Sequence, residues 1–230
     1  MTLNNPTKLI VLDVDDTTLH PEGLDTISLG CNREVYDKIV ALTTRAMNGE
    51  MTFEESLDER VGYLQGYDYK KAIDYAASII APSPGAVKLL TTLSEAGWAI
   101  GLCSGGFYDI IDIIVEKYNL PVDFIMAQSF ITAIFDDPTK DDKGRIQRFT
   151  GGFQKPIVDG TKKLEMIQQW ASDLGISQEN TVAIGDGNND IEMTTWAGLG
   201  IGFNPKKTLA EKVDACVYDD LSGALEFIKI

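Results

Sequence analysis

Short apolar runs that alternate with amphipathic helical patterns constrain this chain of 230 residues more than any other feature. The run Leu9–Leu12 contains no polar residue, which is typical of a strand buried on both faces of a parallel sheet. Similar runs recur at 98–104, 123–127, 181–186 and 199–203, and helical patterns lie between them at 84–96, 106–118 and 161–174. This alternation predicts an α/β fold built on a Rossmann-like, doubly wound parallel sheet.

Residues 21–84 interrupt the alternation. They contain no run typical of a strand, whereas 33–47, 53–64 and 67–80 carry apolar residues at helical spacings of three and four. We therefore expect a helical cap domain (20–83) inserted after the first strand of a core formed by 1–19 and 84–230. The later stretch 135–152 is charged and rich in turn residues, which predicts an exposed loop or hairpin.

Charge and residue counts exclude several kinds of chemistry. With 20 Lys and Arg against 35 Asp and Glu, the chain lacks the basic footprint of a nucleic-acid binder, and an acidic membrane surface would repel it. His20 is the only histidine, so a metal site with several histidine ligands is excluded. Three widely spaced cysteines and the lack of a signal-like apolar segment favour a cytoplasmic protein with reduced thiols. The remaining chemistry is that of carboxylates, lysine and a hard metal ion.

Two carboxylates follow the first strand. Asp13 and Asp15 point the same way from an extended chain, at the strand end where open α/β sheets place their sites. Two such groups repel each other unless a cation or a shared proton lies between them. An Asx-rich turn is the alternative interpretation.

Later strand ends carry further polar motifs. Ser104, Gly105 and Gly106 open a helix, an arrangement that can bind a phosphate but can equally be a tight turn. The motif Gly185-Asp-Gly-Asn-Asn-Asp190 adds carboxylates that would suit Mg²⁺ together with Asp13 and Asp15, although Asn189 or Asp190 can also cap the next helix. Lys162 and Lys163 begin another helix, and either can be a solvated lysine or can meet a phosphate or the acidic cluster.

Together these motifs resemble the haloacid dehalogenase superfamily of aspartate-nucleophile phosphatases, in which D-x-D-x-T, Ser, Lys and G-D-x-x-x-D follow one another in this order. Within it the chain is similar to the phosphoserine phosphatase family over nearly its whole length. The segment Met51–Leu64 matches the cap motif M-x-F-x-x-S-L-x-x-R-V-x-x-L, which is the most specific of the matches.

The resemblance implies a Mg²⁺-dependent hydrolysis of phosphoserine, the last step of serine biosynthesis, through an aspartyl-phosphate. It makes Asp13 the nucleophile and Asp15 the general acid and base. The Mg²⁺ ligands it implies are Asp13, Asp15 and Asp186, and Thr17 and Asp190 support the site.

The resemblance also implies the residues that bind the substrate. Glu22 would hold the ammonium group and Arg60 the carboxylate, and Phe53 would form a wall of the cap. Ser104 and Gly105 would bind the phosphate, and Lys163 matches the motif lysine, with Lys162 as a close rival. Asn189 would be a further substrate-binding residue that supports the site.

The sequence departs from the family pattern at two places, and two alternative functions remain open. Asp16 stands where the family usually has serine, and the acidic stretch 135–145 is longer than the family norm. The alternative functions are a phosphatase or phosphotransferase of the same superfamily acting on another small phosphomonoester, and a non-catalytic acidic metal-binding or interaction protein. The sequence leaves the oligomeric state open.

Overall fold

The computed structural model describes residues 6–47, 50–137, 139 and 144–230. Within them the strands are, in chain order, β1 (Leu9–Leu12), β2 (Leu19–His20), β3 (Ala81–Pro82), β4 (Ala99–Phe107), β5 (Phe124–Gln128), β6 (Phe130–Asp136), β7 (Arg145–Phe153), β8 (Thr181–Gly185), β9 (Leu199–Phe203) and β10 (Ala215–Val217). The helices are α1 (Gly23–Cys31), α2 (Arg33–Met47), α3 (Phe53–Gly62), α4 (Tyr69–Ile79), α5 (Ala86–Glu95), α6 (Tyr108–Lys117), α7 (Gly160–Leu174), α8 (Ile191–Trp196) and α9 (Lys207–Ala210). None of the helices in this part of the chain combines the length and apolar character that a membrane span needs.

The central sheet has six strands in the order β10-β9-β8-β1-β4-β5, and every neighbouring pair is parallel. Helices cover both of its faces, which confirms the predicted doubly wound α/β fold. Leu9 and Val11 pack in one buried cluster with Trp170 of α7, whereas Ile10 and Leu12 belong to another with residues of α5 and α6. Burial on both faces explains why β1 is apolar at every position.

The register of the sheet brings three strand ends together. Leu12 lies opposite Leu102 of β4 and Ile184 of β8, so the residues after β1 and β8 reach the same edge of the sheet as the end of β4. Open α/β sheets place their sites at this edge.

Helices α1–α4 lie between β2 and β3, which pair with each other as a short antiparallel ribbon. The prediction that 21–84 contains no strand is therefore wrong at Ala81–Pro82, and α1 was missed. Gly23 and Gly30 obscure the apolar periodicity of α1. Gly30 permits close packing on α4, since a Cβ there would lie 2.9 Å from the carbonyl oxygen of Ala72. The domain boundaries 20–83 remain a prediction.

β6 and β7 form an antiparallel hairpin, one of the two structures predicted for 135–152. Aromatic rings anchor it, because Phe130 stacks on Phe107 at a centroid distance of 3.7 Å and meets Phe149 edge-on at 4.9 Å. Residues 138 and 140–143 of the acidic stretch lie outside the described residues.

Candidate active site

Asp13 lies directly after β1 with only 4% of its surface exposed. Its orientation is fixed locally, because the backbone N–H of Val14 donates to Asp13 Oδ1 at 2.7 Å. The backbone N–H of Asp13 donates to the carbonyl of Ile184 at 2.9 Å. Thr18 Oγ1 donates to the backbone carbonyl of Asp13 at 2.6 Å. The carboxylate is thus held at the edge of the sheet before any ligand binds.

Lys163 lies behind this carboxylate and is fully buried. Its Nζ is 2.6 Å from Asp13 Oδ1 and 2.7 Å from Asp190 Oδ1. Burial opposes its charge, but these two carboxylates raise the pKa of Lys163 above its ordinary value, so the ammonium stays protonated. Lys162 instead pairs with Glu165 at the surface, at 3.0 Å.

This geometry distinguishes the two rival lysines. Of the pair, Lys163 enters the site, as the sequence interpretation preferred, yet its ammonium group pairs with the two carboxylates of Asp13 and Asp190. Lys163 is also absent from the wall of the cavity described below. Its position favours holding Asp13 and compensating the charge of that carboxylate over a direct contact with phosphate.

Three carboxylates lie within 4.8 Å of one another, namely those of Asp13, Asp186 and Asp190. Burial raises the pKa of Asp13 well above its ordinary value, and the nearby charge of Asp190 raises it further. Burial likewise raises the pKa of Asp186. Carboxylate oxygens gathered in this way are suited to a cation of oxygen-preferring type.

This cluster differs from the predicted ligand set in one member. The carboxylate of Asp15 turns away from it, because Asp15 Oδ1 accepts from the N–H of Gly23 at 2.8 Å. Asp190 takes its place in the cluster. Asp190 Oδ2 accepts from the N–H groups of Asp186 and Gly187 at 3.1 and 3.0 Å, so the turn after β8 positions it.

Asp15 lies beside the phosphate-binding candidates. Ser104 Oγ is 3.3 Å from Asp15 Oδ2 and accepts a hydrogen bond from the N–H of Gly106 at 2.8 Å. A Cβ on Gly106 would lie 2.3 Å from Asp15 Oδ2, so a larger residue there would displace the Asp15 carboxylate. Burial and then the charge of Glu22 raise the pKa of Asp15 to about 6. A carboxyl group with such a pKa can carry a proton near neutral pH.

The helical insertion supplies the other wall. Arg60 is buried at 6% exposure, and its Nη1 lies 3.6 Å from Glu22 Oε1 and 3.2 Å from Thr43 Oγ1. The Nε atom of Arg60 is buried and has no hydrogen-bond partner among the residues that the structure describes. Phe53 lies over Gly105, because a Cβ on that glycine would be 2.9 Å from the Phe53 ring.

One cavity of about 700 Å³ is lined both by residues at the strand ends and by residues of the helical insertion. The predicted site residues on its wall are Asp13, Asp15, Glu22, Phe53, Arg60, Ser104, Gly105, Asp186 and Asn189. Thr17 is fully buried outside this wall, and within the described part of the chain its hydroxyl has no hydrogen-bond partner. The site therefore combines acidic strand ends with a buried arginine and a partly exposed glutamate from the insertion.

Sequence reasoning missed Thr43 and Lys206. Lys206 lines the cavity and its Nζ lies 3.4 Å from Asp186 Oδ2. Its position soon after β9, at the same sheet edge, is a signal that could have revealed it. Thr43 carries no such signal, because its contact with Arg60 depends on how α2 packs against α3.

Glu22 should make folding stability depend on pH. Burial, followed by the charge of Asp25, raises the pKa of Glu22 from 4.5 to about 8. The folded protein then binds a proton that the unfolded chain lacks, so stability falls as pH rises from about 5 to 8. Because 29% of the side chain is exposed, we expect a loss of about 1–3 kcal/mol.

Urea unfolding at several pH values tests this expectation. Between pH 5 and 8 the free energy of unfolding of the wild type should fall as Glu22 ionises. In Glu22→Gln this fall should be smaller by about 1–3 kcal/mol. Glu34→Gln is the matched control, because Glu34 lies on the exposed face of α2 and pairs with Lys38. Identical pH slopes in Glu22→Gln and the wild type would contradict the expectation.

Comparison with known proteins identifies the family. Residues 7–198 match the model of the haloacid dehalogenase-like hydrolases. The chain belongs to this family. This hydrolase is 34% identical over 221 residues to the phosphoserine phosphatase of Lactococcus lactis, covering 96% of this chain and 94% of that one. That similarity places it in the phosphoserine phosphatase family.

Two further proteins show the same relationship. The phosphoserine phosphatase of Archaeoglobus fulgidus is 34% identical over all 230 residues, although this hydrolase spans only 62% of that protein's length. A solved structure of a phosphoserine phosphatase, determined as an analogue of its phospho-aspartyl intermediate, superposes on this chain with a TM-score of 0.82 at 33% identity. The match covers 97% of this chain and all of that chain.

Proposed function

We propose that this hydrolase is a phosphoserine phosphatase that cleaves O-phosphoserine to serine and phosphate through an aspartyl-phosphate on Asp13. One observation carries the proposal. The cavity that contains Asp13 and Asp15 also contains the carboxyl group of Glu22 and the guanidinium of the buried Arg60, both on elements outside the sheet. A substrate with a phosphate, an ammonium and a carboxylate group matches this set of charges.

Asp13 performs the first chemical step. One of its carboxylate oxygens attacks phosphorus in line, so that the Asp13 O–P bond forms as the ester P–O bond breaks. The serine alkoxide leaves with a proton from Asp15. Lys163 supports the attack by fixing Asp13 at 2.6 Å and by reducing the repulsion between two anions.

Asp15 then reverses its role. Having lost its proton to the leaving group, it accepts one from the water that attacks phosphorus of the aspartyl-phosphate. This step releases phosphate and restores both aspartates. The hydroxyl of Ser104, 3.3 Å from Asp15, is placed to donate to a phosphate oxygen at the same position.

The donor set fits a divalent metal ion, and we propose that the ion is Mg²⁺. The proposed carboxylate ligands are Asp13 and Asp186, with Asp190 as the third carboxylate of the cluster. An all-oxygen set without histidine or cysteine is typical of Mg²⁺ sites. When bound, the ion supplies positive charge that stabilises the charge on the transferring phosphoryl group.

Chelation should therefore abolish phosphate release. We expect excess EDTA to lower the rate by at least about a hundredfold and added Mg²⁺ to restore it, because cations carry much of phosphoryl-transfer catalysis. Ca²⁺ should bind and yet support turnover poorly, since its looser coordination misplaces the nucleophile. Undiminished activity in EDTA would contradict the role of the metal.

A panel of phosphomonoesters tests the substrate assignment. Phosphate release in Mg²⁺ should be most efficient, as kcat/KM, for phosphoserine and weaker for phosphoethanolamine and glycerol phosphate, which lack one or both of its charged amino-acid groups. The alternative is a phosphatase for another small phosphomonoester. A clear preference for a substrate without ammonium and carboxylate groups would favour that alternative.

A further inference from the structure

A buried hydroxyl in the wall of the cavity lacks a hydrogen-bond partner. Ser56 lies in the first half of α3 at 1% exposure and lines the same cavity as Asp13 and Arg60. Its Oγ makes no hydrogen bond within the described residues. Folded proteins pair nearly all buried polar groups, because an unpaired one is destabilising. A ligand in the cavity is therefore the expected source of the missing partner.

A second unpaired donor lies one turn away on the same helix. Ser56 and Arg60 are four residues apart in α3, and this spacing places two side chains on one face of a helix. The Nε atom of Arg60 is buried and, like Ser56 Oγ, has no partner in the part of the chain that the structure describes. The face of α3 that lines the cavity thus carries two unused donors, a hydroxyl and a guanidinium N–H.

Thr43 fixes the direction of the guanidinium. Thr43 Oγ1 donates to the carbonyl oxygen of Ile39 at 3.1 Å, so its lone pairs are left to accept from Arg60 Nη1 at 3.2 Å. Glu22 Oε1 lies 3.6 Å from the same Nη1. Because the guanidinium is planar and rigid, holding Nη1 in this way also sets the direction of the Nε–H bond.

We propose that Ser56 is a substrate-binding residue whose hydroxyl donates to one oxygen of the substrate carboxylate, beside Arg60 Nε, which donates to the other. The inference rests on the proposed function and extends it to a residue of the cavity wall. A carboxylate has two acceptor oxygens and no donor, so it matches two donors one helical turn apart. An ammonium group does not match this pair, because Arg60 has no acceptor atom and its charge repels a cation.

Ser56→Ala tests the contact, because it removes the hydroxyl and leaves the volume of the side chain nearly unchanged. The two substrates to compare are phosphoserine and phosphoethanolamine, which keeps the phosphate and the ammonium group and lacks only the carboxylate. We expect kcat/KM for phosphoserine to fall by about tenfold to a hundredfold, since a hydrogen bond to a charged group is lost. For phosphoethanolamine kcat/KM should change by less than about twofold, since that substrate never makes the contact.

Thermal unfolding without substrate separates this contact from a structural role. Ser56→Ala should unfold at the same Tm as the wild type or a few degrees higher, because alanine buries no unpaired hydroxyl. Ser78→Ala is the matched control. Ser78 is an exposed residue of α4 that does not line the cavity, and its Oγ donates to the carbonyl of Tyr75 at 2.6 Å. This variant should leave kcat/KM for both substrates unchanged.

Three outcomes would overturn the inference. Unchanged kinetics of Ser56→Ala on phosphoserine would mean that the hydroxyl meets no group of the substrate, and equal losses on both substrates would mean that it does not meet the carboxylate. A lower Tm of Ser56→Ala in the absence of substrate would assign the hydroxyl a role in the fold. A different result would refute the proposed function itself, namely a wild-type enzyme that hydrolyses phosphoserine no better than phosphoethanolamine.

Discussion

Replacing Asp13 with asparagine is expected to lower phosphate release from phosphoserine by more than about a thousandfold, since loss of a covalent nucleophile removes the reaction path itself. The amide has nearly the same shape, and Lys163 keeps its 2.7 Å contact with Asp190. The fold should therefore survive. Steady-state kinetics and the cooperativity of thermal unfolding check the two halves of this expectation.

Asp16→Asn is the matched control for Asp13→Asn. Asp16 belongs to the same motif, but its side chain is 53% exposed and pairs with His20 Nδ1 at 2.8 Å. We expect its removal to change kcat by only a few fold. Residual activity of Asp13→Asn above about a thousandth of the wild type would indicate direct attack by water on the substrate.

Arg60→Ala is expected to reduce kcat/KM for phosphoserine by about thirtyfold to several thousandfold. For an aryl phosphate, which has no carboxylate, kcat/KM should change much less. Removing one partner of a buried charge pair costs about 2–5 kcal/mol, and each 1.4 kcal/mol corresponds to about a tenfold change. The aryl phosphate keeps its contacts with Asp13 and Ser104. Glu22→Gln should likewise affect phosphoserine selectively, through the ammonium end.

Arg33→Ala provides the comparison for Arg60→Ala. Arg33 lies on α2 with 75% of its side chain exposed and pairs with Asp37, so its loss should affect neither substrate. Equal losses on both substrates in Arg60→Ala would mean that Arg60 contacts the phosphate. Unchanged phosphoserine kinetics would remove the main support for this substrate.

The parallel sheet could be predicted from the sequence because burial on both faces leaves a local signal. β1 and β9 are apolar along their whole length and were placed within a residue or two of their observed bounds. β10 and α1 were not predicted. β10 is only three residues long, and α1 owes its stability to close packing on α4 at Gly30, a contact between segments distant in sequence.

The candidate site could be located by the same argument, since residues at the ends of adjacent parallel strands must meet. This places Asp13, Ser104 and Asp186 together, and all three line the same cavity. The direction in which each side chain points could not be predicted from the sequence. Asp15 turns towards Gly23, and Asp190 enters the carboxylate cluster, because backbone N–H groups of folded turns hold them there.

A rapid-quench experiment with ³²P-labelled phosphoserine tests for the covalent aspartyl-phosphate on Asp13. Acid quenching within the first turnovers should yield a chain that carries label, and peptide mapping should place the label on Asp13. The label should be lost in hydroxylamine, as an acyl phosphate is, and Asp13→Asn should acquire none. Rapid release of labelled phosphate without any label on the chain, or label on another residue, would contradict the account.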